Sequence, residues 1–423
     1  MKRLFINIGK LVQVEHGEPV NKRAGREMSV LNLMEDAYLA VDGEKISDFG
    51  SMETLKGLSS NGIEYWVENQ ADEIVDLEGA TLIPAFCDSH THLVYAGSRE
   101  REFIDKVRGL SYQEIAKRGG GILNSAQLLH ETSEEELFRQ SVQRAREIIS
   151  HGTAAVEIKS GYGLNPQDEI KMLRVAKRIG IETPLTVRTT FLGAHAVPAR
   201  YSGRKEEYVN EIINEMIPVI ATEELADYID VFTEDGFFSV EDTDRILNAG
   251  EKYGLRAKVH ANQMSFSGGV QVGVNYNAIS VDHLEFTGDE EYALLKYSET
   301  MATLLPGSTF FLEMEYANGR KMIDNGLAVA LATNYNPGSS PYGDMRFIMA
   351  LAALKYKMTT EEIVNAVTIN GAYAMGLSES HGSFARGKRA NFIVARGLPT
   401  LDFIPYTFTS PLVEQIWIGG VKI

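Results

Sequence analysis

Nine histidines occur in the 423 residues, and five of them stand where an apolar run gives way to small polar residues. His90 and His92, in CDSHTH, are two apart. Alternate side chains of a strand share a face, so both rings can reach one metal ion from a single rigid element. His195 follows FLGA, His260 ends LRAKV and His283 ends AISVD. Taken singly, each has a plain structural reading, either a solvated pair or a hydrogen-bonded core histidine. Taken together, four separate segments would have to aim imidazoles at one face by accident, so the chemistry on offer is metal coordination. His16, His130, His151 and His381 are scattered and read as surface or loop residues.

A fifth segment ends the same way. In VALATNYNPGSSPYGD the apolar run stops at Asn334, whose amide oxygen can coordinate but carries no charge and takes no proton near neutrality. Lys159, in EIKSGYG, could act as an amine or a carbamate ligand, with an ion pair to Glu157 or another barrel acid as the plainer reading. Glu234 has the same ambiguity. Arg99 suits a carboxylate ligand, whereas a charged run that includes Arg101 also describes a solvated face. Tyr162 lies between glycines that permit close backbone approach to a ligand.

These residues need elements to hold them. Eight short apolar runs, from TLIPAFCDSHTH to LAVALATNYNPGSS, are mostly separated by helical stretches such as SEEELFRQSVQRAREIISHG and PQDEIKMLRVAKRIG, which open on capping residues. Strands alternating with helices predict a parallel sheet, and eight repeats predict a closed (β/α)8, TIM-like barrel over residues 81–383 within an α/β fold. The active site of such a barrel lies at the carboxyl ends of its strands, where the histidines fall. Residues 1–80 and 384–423 share a β-rich style, with a hairpin signal in AYLAVDGEKISDFG. They are expected to form one small β-sandwich domain from both chain ends.

Composition bounds the rest. A net charge of −17 argues against a nucleic-acid surface. One cysteine, Cys87, precludes an intramolecular disulfide and a multi-cysteine zinc site, and suggests a reducing, cytoplasmic compartment. No stretch approaches a transmembrane helix in length, so no membrane partner is expected.

The motifs HTHLVYAGSREREF, RGGGI, VEIKSGYGL, FLGAHAVP, DVFTEDGFFS, VALATNYNPGSS and TINGAYAMGLSESHGS together resemble the imidazolonepropionase family of the amidohydrolase superfamily, across nearly the whole chain. The resemblance implies hydrolysis of 4-imidazolone-5-propanoate to N-formimidoyl-L-glutamate in histidine breakdown, at one Zn2+ or Fe ion per subunit. It implies His90, His92, His260 and the residue at 334 as metal ligands. Arg99 would take the substrate carboxylate, Tyr162, His195 and Tyr112 the ring, and Asn336, Gly338 and Ser339 the product-side loop. His283 would polarise the carbonyl or carry protons, and the assembly would be a homodimer.

Two positions depart from the family pattern. Asp is usual at 334 and Glu at 263, where this chain has Asn334 and Gln263, neither able to act as a base. Loss of a general base lowers rates by ~10^2 to 10^4, so impaired turnover is expected. The alternatives are a deaminase of a nitrogen heterocycle from the same superfamily, which would want Glu at 263, or a non-catalytic relative that binds imidazole-type acids.

Overall fold

The computed structural model describes residues 1–17, 20–57, 71–110 and 120–423. The chain opens with strands β1 (Lys2–Val12), β2 (Leu33–Asp42), β3 (Lys45–Ser51), β4 (Glu73–Asp76) and β5 (Thr81–Pro84). β2 and β3 form the hairpin expected from the sequence, turning through Gly43 at φ +59° and Glu44. The barrel strands follow as β6 (Phe86–Thr91), β7 (Thr153–Lys159), β8 (Thr186–Ala194), β9 (Tyr228–Thr233), β10 (Arg256–Ala261), β11 (Ser280–His283), β12 (Met301–Leu304) and β13 (Val329–Leu331). The tail adds β14 (Phe392–Ala395), β15 (Gln415–Ile418) and β16 (Val421–Lys422).

β6 to β13 pair in sequence order, each parallel to the next. Each corresponds to one of the eight apolar runs. They read as near-continuous apolar segments because strands buried on both faces have no solvent side to keep polar. Helices pack outside. Glu134–Ser150 is capped by Ser133, whose hydroxyl accepts the Glu136 N–H, and Pro166–Glu182 by Asn165, which accepts that of Asp168. Val240–Glu251 carries a reciprocal capping box between Ser239 and Asp242. The main apolar core lies between these helices and the strands, with Leu173, Ile246, Val259 and Val281 shut off from solvent.

The run TLIPAFCDSHTH divides at Ala85. Its first half, β5, pairs with β1 and β14, and its second half, β6, opens the barrel. The sheet from both termini has the order β16-β15-β14-β5-β1-β2-β3, with β4 beside β1. It curls so far that Phe5 of β1 meets the rings of both Phe392 and Trp417, at 5.2 and 4.8 Å. One curled sheet thus encloses its own core and plays the part of both layers of a sandwich.

Barrel closure matters most for the site. β13 is only three residues long, and the seam to β6 is made just beyond it. The Asn334 N–H donates to the His90 carbonyl and the His92 N–H to that of Tyr335, both at 2.9 Å. Below them the Asp88 carboxylate accepts the Thr333 N–H at 3.0 Å and its hydroxyl at 2.6 Å. Burial pushes the Asp88 carboxyl up to about 7, against the pull of these hydrogen bonds. Closing the barrel therefore brings Asn334 against the His-x-His pair.

Candidate active site

At the carboxyl ends of the strands lies a cavity of about 390 Å³. His92, Tyr162, His195, His260, His283 and Asn334 line it, together with Arg99, Gln263, Asn336, Gly338 and Ser339. Phe103, Phe232, Phe237 and Phe311 supply apolar wall. Tyr112 and part of RGGGI lie outside the described residues.

The imidazoles form one group. Ring centroids stand 4.5 Å apart for His90–His260, 5.4 Å for His90–His92 and 5.4 Å for His260–His283. His92 stacks on His195 at 5.1 Å and 13°. One ring nitrogen each of His90, His260 and His283 falls within 4.8 Å of the others. That grouping replaces the expected His92 with His283, although the His92 ring adjoins it. His283 is held at φ +93°, a backbone conformation costing about 1–3 kcal/mol that persists only where its surroundings enforce it.

Buried polar atoms here lack partners in an interior where nearly all such atoms are paired. Among the described residues, His90 Nε2, His92 Nδ1, both ring nitrogens of His260, His283 Nδ1 and Asn334 Oδ1 have no hydrogen-bond partner. Burial depresses the basicity of His90, His92 and His260, aided by the positive charge of Lys159. Neutral, unpartnered imidazoles are the donor set that a transition-metal ion requires. The residues fit the ion that the sequence resemblance implies.

Carboxylates orient these rings from below. His90 Nδ1–H donates to Asp282 Oδ2 at 2.6 Å, which fixes the tautomer and turns the Nε2 lone pair outward. Asp230 accepts the His260 backbone N–H at 3.1 Å, and its Oδ2 lies 2.9 Å from His260 Nδ1 but out of line for a hydrogen bond. Lys159 is an ion-pair residue, bonded to Glu157 at 2.7 Å and Asp230 at 2.8 Å, the plainer of its two readings. Burial works against its ammonium, but the Asp230, Glu157 and Asp282 carboxylates outweigh that and hold it charged. Lys258, unremarked in the sequence, bonds the other Glu157 oxygen.

Around the cavity the remaining predicted residues fall as follows. His195 Nδ1 donates to the Gly161 carbonyl at 3.0 Å, leaving Nε2 as an acceptor; burial and the neighbouring His260 hold its pKa down at about 3. Gly161 sits at φ +112°, and a Cβ there would stand 2.9 Å from His195 Nδ1. Tyr162 is buried, which raises its hydroxyl pKa. Arg99 donates through Nε to Glu102 at 2.8 Å, and its Nη1 lies so close to Gly338 that a Cβ there would be 2.1 Å away. The Asn336 amide is spent on its own loop. It accepts the Gly338 and Ser339 N–H groups, both at 2.8 Å, and donates to the Asn334 carbonyl at 2.6 Å. Glu234 braces the Gln263 loop by accepting the Met264 N–H at 2.9 Å and the Ser265 hydroxyl.

Reasoning from sequence missed Asp88, Asp230, Asp282, Lys258 and Glu102. A signal existed for three of them, a single charge inside YIDVF, RAKVH and SVDH at the period that marks one strand face. His381 is a correction. It is buried rather than superficial, with its ring bonded to Ser380 and Thr186 at 2.8 and 3.0 Å, because the helix before it tucks under the barrel.

Fold and site define the class. A family model described as the amidohydrolase family matches residues 81–421. Among solved structures, E. coli guanine deaminase superposes with a TM-score of 0.73 at 15% identity, over 100% of this chain and 99% of its own. A triazine hydrolase variant does so at 0.74 and 14%, over 100% of this chain and 94% of its own. Nearer in sequence, an imidazolonepropionase of Flavobacterium johnsoniae is 50% identical over 420 residues, 99% of both chains. Another, from Christiangramia forsetii, is 47% identical over 423 residues, 100% of both. This chain belongs to the amidohydrolase family and, within it, to the imidazolonepropionases.

Proposed function

We propose that this protein hydrolyses the cyclic amide of 4-imidazolone-5-propanoate, giving N-formimidoyl-L-glutamate. Water adds to the ring carbonyl carbon, the adjacent C–N bond breaks, and the departing nitrogen takes a proton. The observation that carries this reading is the cluster of buried imidazole nitrogens and the Asn334 oxygen, unpartnered among the described residues, beside a cavity that also holds a guanidinium.

His90, His92, His260 and Asn334 are assigned to one Zn2+ or Fe ion, with His283 close enough to compete with His92. Such an ion, when bound, lowers the pKa of water so that a nucleophile exists near neutral pH. Arg99 takes the propanoate carboxylate through the donors that Glu102 leaves free. His195, with Nδ1–H committed to Gly161, presents Nε2 as an acceptor to a ring N–H. Tyr162 packs beside the ring, and Gln263 can hydrogen-bond it without moving a proton. Asn336 holds Gly338 and Ser339 in place. With Asn334 and Gln263 both uncharged, His283 is assigned the proton transfer. A homodimer in the cytosol completes the proposal, with residues 1–80 and 384–423 as one β domain that also takes in β5 from the expected 81–383 unit, so that the barrel begins at β6.

The test is consumption of imidazolonepropanoate by the purified chain, with metal content determined on the same sample. About one ion per subunit and formation of N-formimidoyl-L-glutamate is the expected result. Bound metal with no turnover, while imidazole-propanoate raises the melting point, would replace catalysis with ligand binding.

A further inference from the structure

One ammonium group serves both carboxylates that stand behind the histidines. Lys159 Nζ lies 2.8 Å from Asp230 Oδ2 and 3.6 Å from Asp282 Oδ2, and all three side chains are fully buried. Asp282 Oδ2 is the atom that accepts from His90, and Asp230 Oδ2 the atom beside His260 Nδ1. Among the described residues no other lysine or arginine comes within 4.0 Å of either carboxylate. The third contact, to Glu157 at 2.7 Å, fixes the ammonium from its own strand, two residues back. Lys159 on β7 therefore joins β9 and β11, and through their acids it reaches rings on β6 and β10.

We propose that Lys159 is a positioning residue for metal binding, setting the orientation of His90 and His260 through Asp282 and Asp230. The inference rests on the assignment of those two histidines as ligands. It goes further by naming the group that holds two ligand strands in register with each other. Without the ammonium, Asp282 would keep only its bond from His90 and Asp230 only its bond from the His260 backbone N–H, so neither acid would be pinned against the other and the alignment of both histidines would loosen.

Lys258 supplies a matched control. It is equally buried and also bonds Glu157, but its other contacts are the carbonyls of Ser89 and Ala374, at 3.1 and 3.2 Å. Lys159→Met and Lys258→Met each remove one buried ammonium and keep the unbranched stem, one atom shorter. Electrostatics alone predicts that losing a positive charge near the site tightens a divalent cation. Loss of orientation predicts the opposite, since removing groups that align metal ligands weakens binding by about 10- to 100-fold.

The experiment is chelator competition for Zn2+ on the wild-type chain and both variants, with thermal melting of the metal-free proteins alongside. Lys159→Met is expected to bind Zn2+ about 10- to 100-fold more weakly, with Lys258→Met close to wild type. If Lys159→Met does not fold, Lys159→Gln, which retains N–H donors toward the acids, is measured in its place with the same expected sign. Equal or tighter binding by the Lys159 variant, or equal weakening by both lysine variants, makes Lys159 a core ion pair and overturns the proposal. If wild type and His260→Ala both fail to bind Zn2+, the ligand assignment falls and takes this inference with it.

Discussion

Asn334→Asp is the substitution that most directly probes the chemistry. Asn334 is 3% exposed, its Oδ1 has no hydrogen-bond partner among the described residues, and its backbone N–H is tied to His90 across the barrel seam. Asp is isosteric, so no repacking is needed and the change is one of charge and basicity. A positioned general base contributes ~10^2 to 10^4 in rate. At 1.36 kcal/mol per tenfold, that corresponds to a barrier lower by about 3–5 kcal/mol. The same carboxylate costs stability when no ion is present, because a buried, unsatisfied polar group costs about 1–3 kcal/mol, and more when charged. The variant should therefore turn over imidazolonepropanoate at least 100-fold faster with metal bound, melt lower than wild type without metal, and regain the difference on adding Zn2+ or Fe2+. The assays are substrate consumption at matched metal content and melting with and without chelator. Rates within about threefold of wild type at equal occupancy would refute the reasoning, since a general base is worth far more than that, and would leave proton transfer to His283.

Other perturbations are equally specific. Gly338→Ala places a Cβ 2.1 Å from Arg99 Nη1, the far end of a flexible side chain, so the guanidinium must swing aside. The expected result is a higher KM for the carboxylate substrate with kcat nearly unchanged; an unaltered KM would detach Arg99 from substrate binding. Gln263→Glu restores a titratable group to the cavity and should change the pH profile of kcat, and an identical profile would place residue 263 outside proton transfer. Stability should fall as pH drops from about 6.5 toward 3, because His195 and His381 are held at about 3 by burial while the unfolded chain takes up protons near 6.5. Folded stability from these groups is thus complete above the unfolded value and lost below it. A melting temperature that stays flat between pH 7 and pH 4 would contradict this.

Much of the molecule could be read from the sequence. The eight strands were legible because a strand buried on both faces must be apolar along its length, and such runs announce themselves. The histidines were legible for a related reason: they interrupt those runs at the end where barrels place their sites. The His-x-His spacing carried its own geometry, since a period of two puts both rings on one face. That positions 334 and 263 carry amides, Asn334 and Gln263, is a fact of residue type and needed no coordinates. No helix among the described residues is long and apolar enough to cross a membrane, as hydropathy had indicated.

What only the tertiary structure decided is which buried charge meets which. In a strand covered on both sides, one lysine or aspartate in an apolar run does not say whether it faces the lumen or the helices. Register across eight strands settles that, and it brought Lys159, Asp230 and Asp282 from β7, β9 and β11 onto one point. The same holds for His283, which joins the His90–His260 group through a bend at φ +93° that no local signal marks. His381 is buried because the helix before its loop packs beneath the barrel, and Asn336, which lines the cavity, also braces its own loop. Local pattern fixes which residues can reach the site, because periodicity is a property of one strand. Their pairing belongs to the closed barrel, because it depends on contacts between segments up to 245 residues apart in the chain.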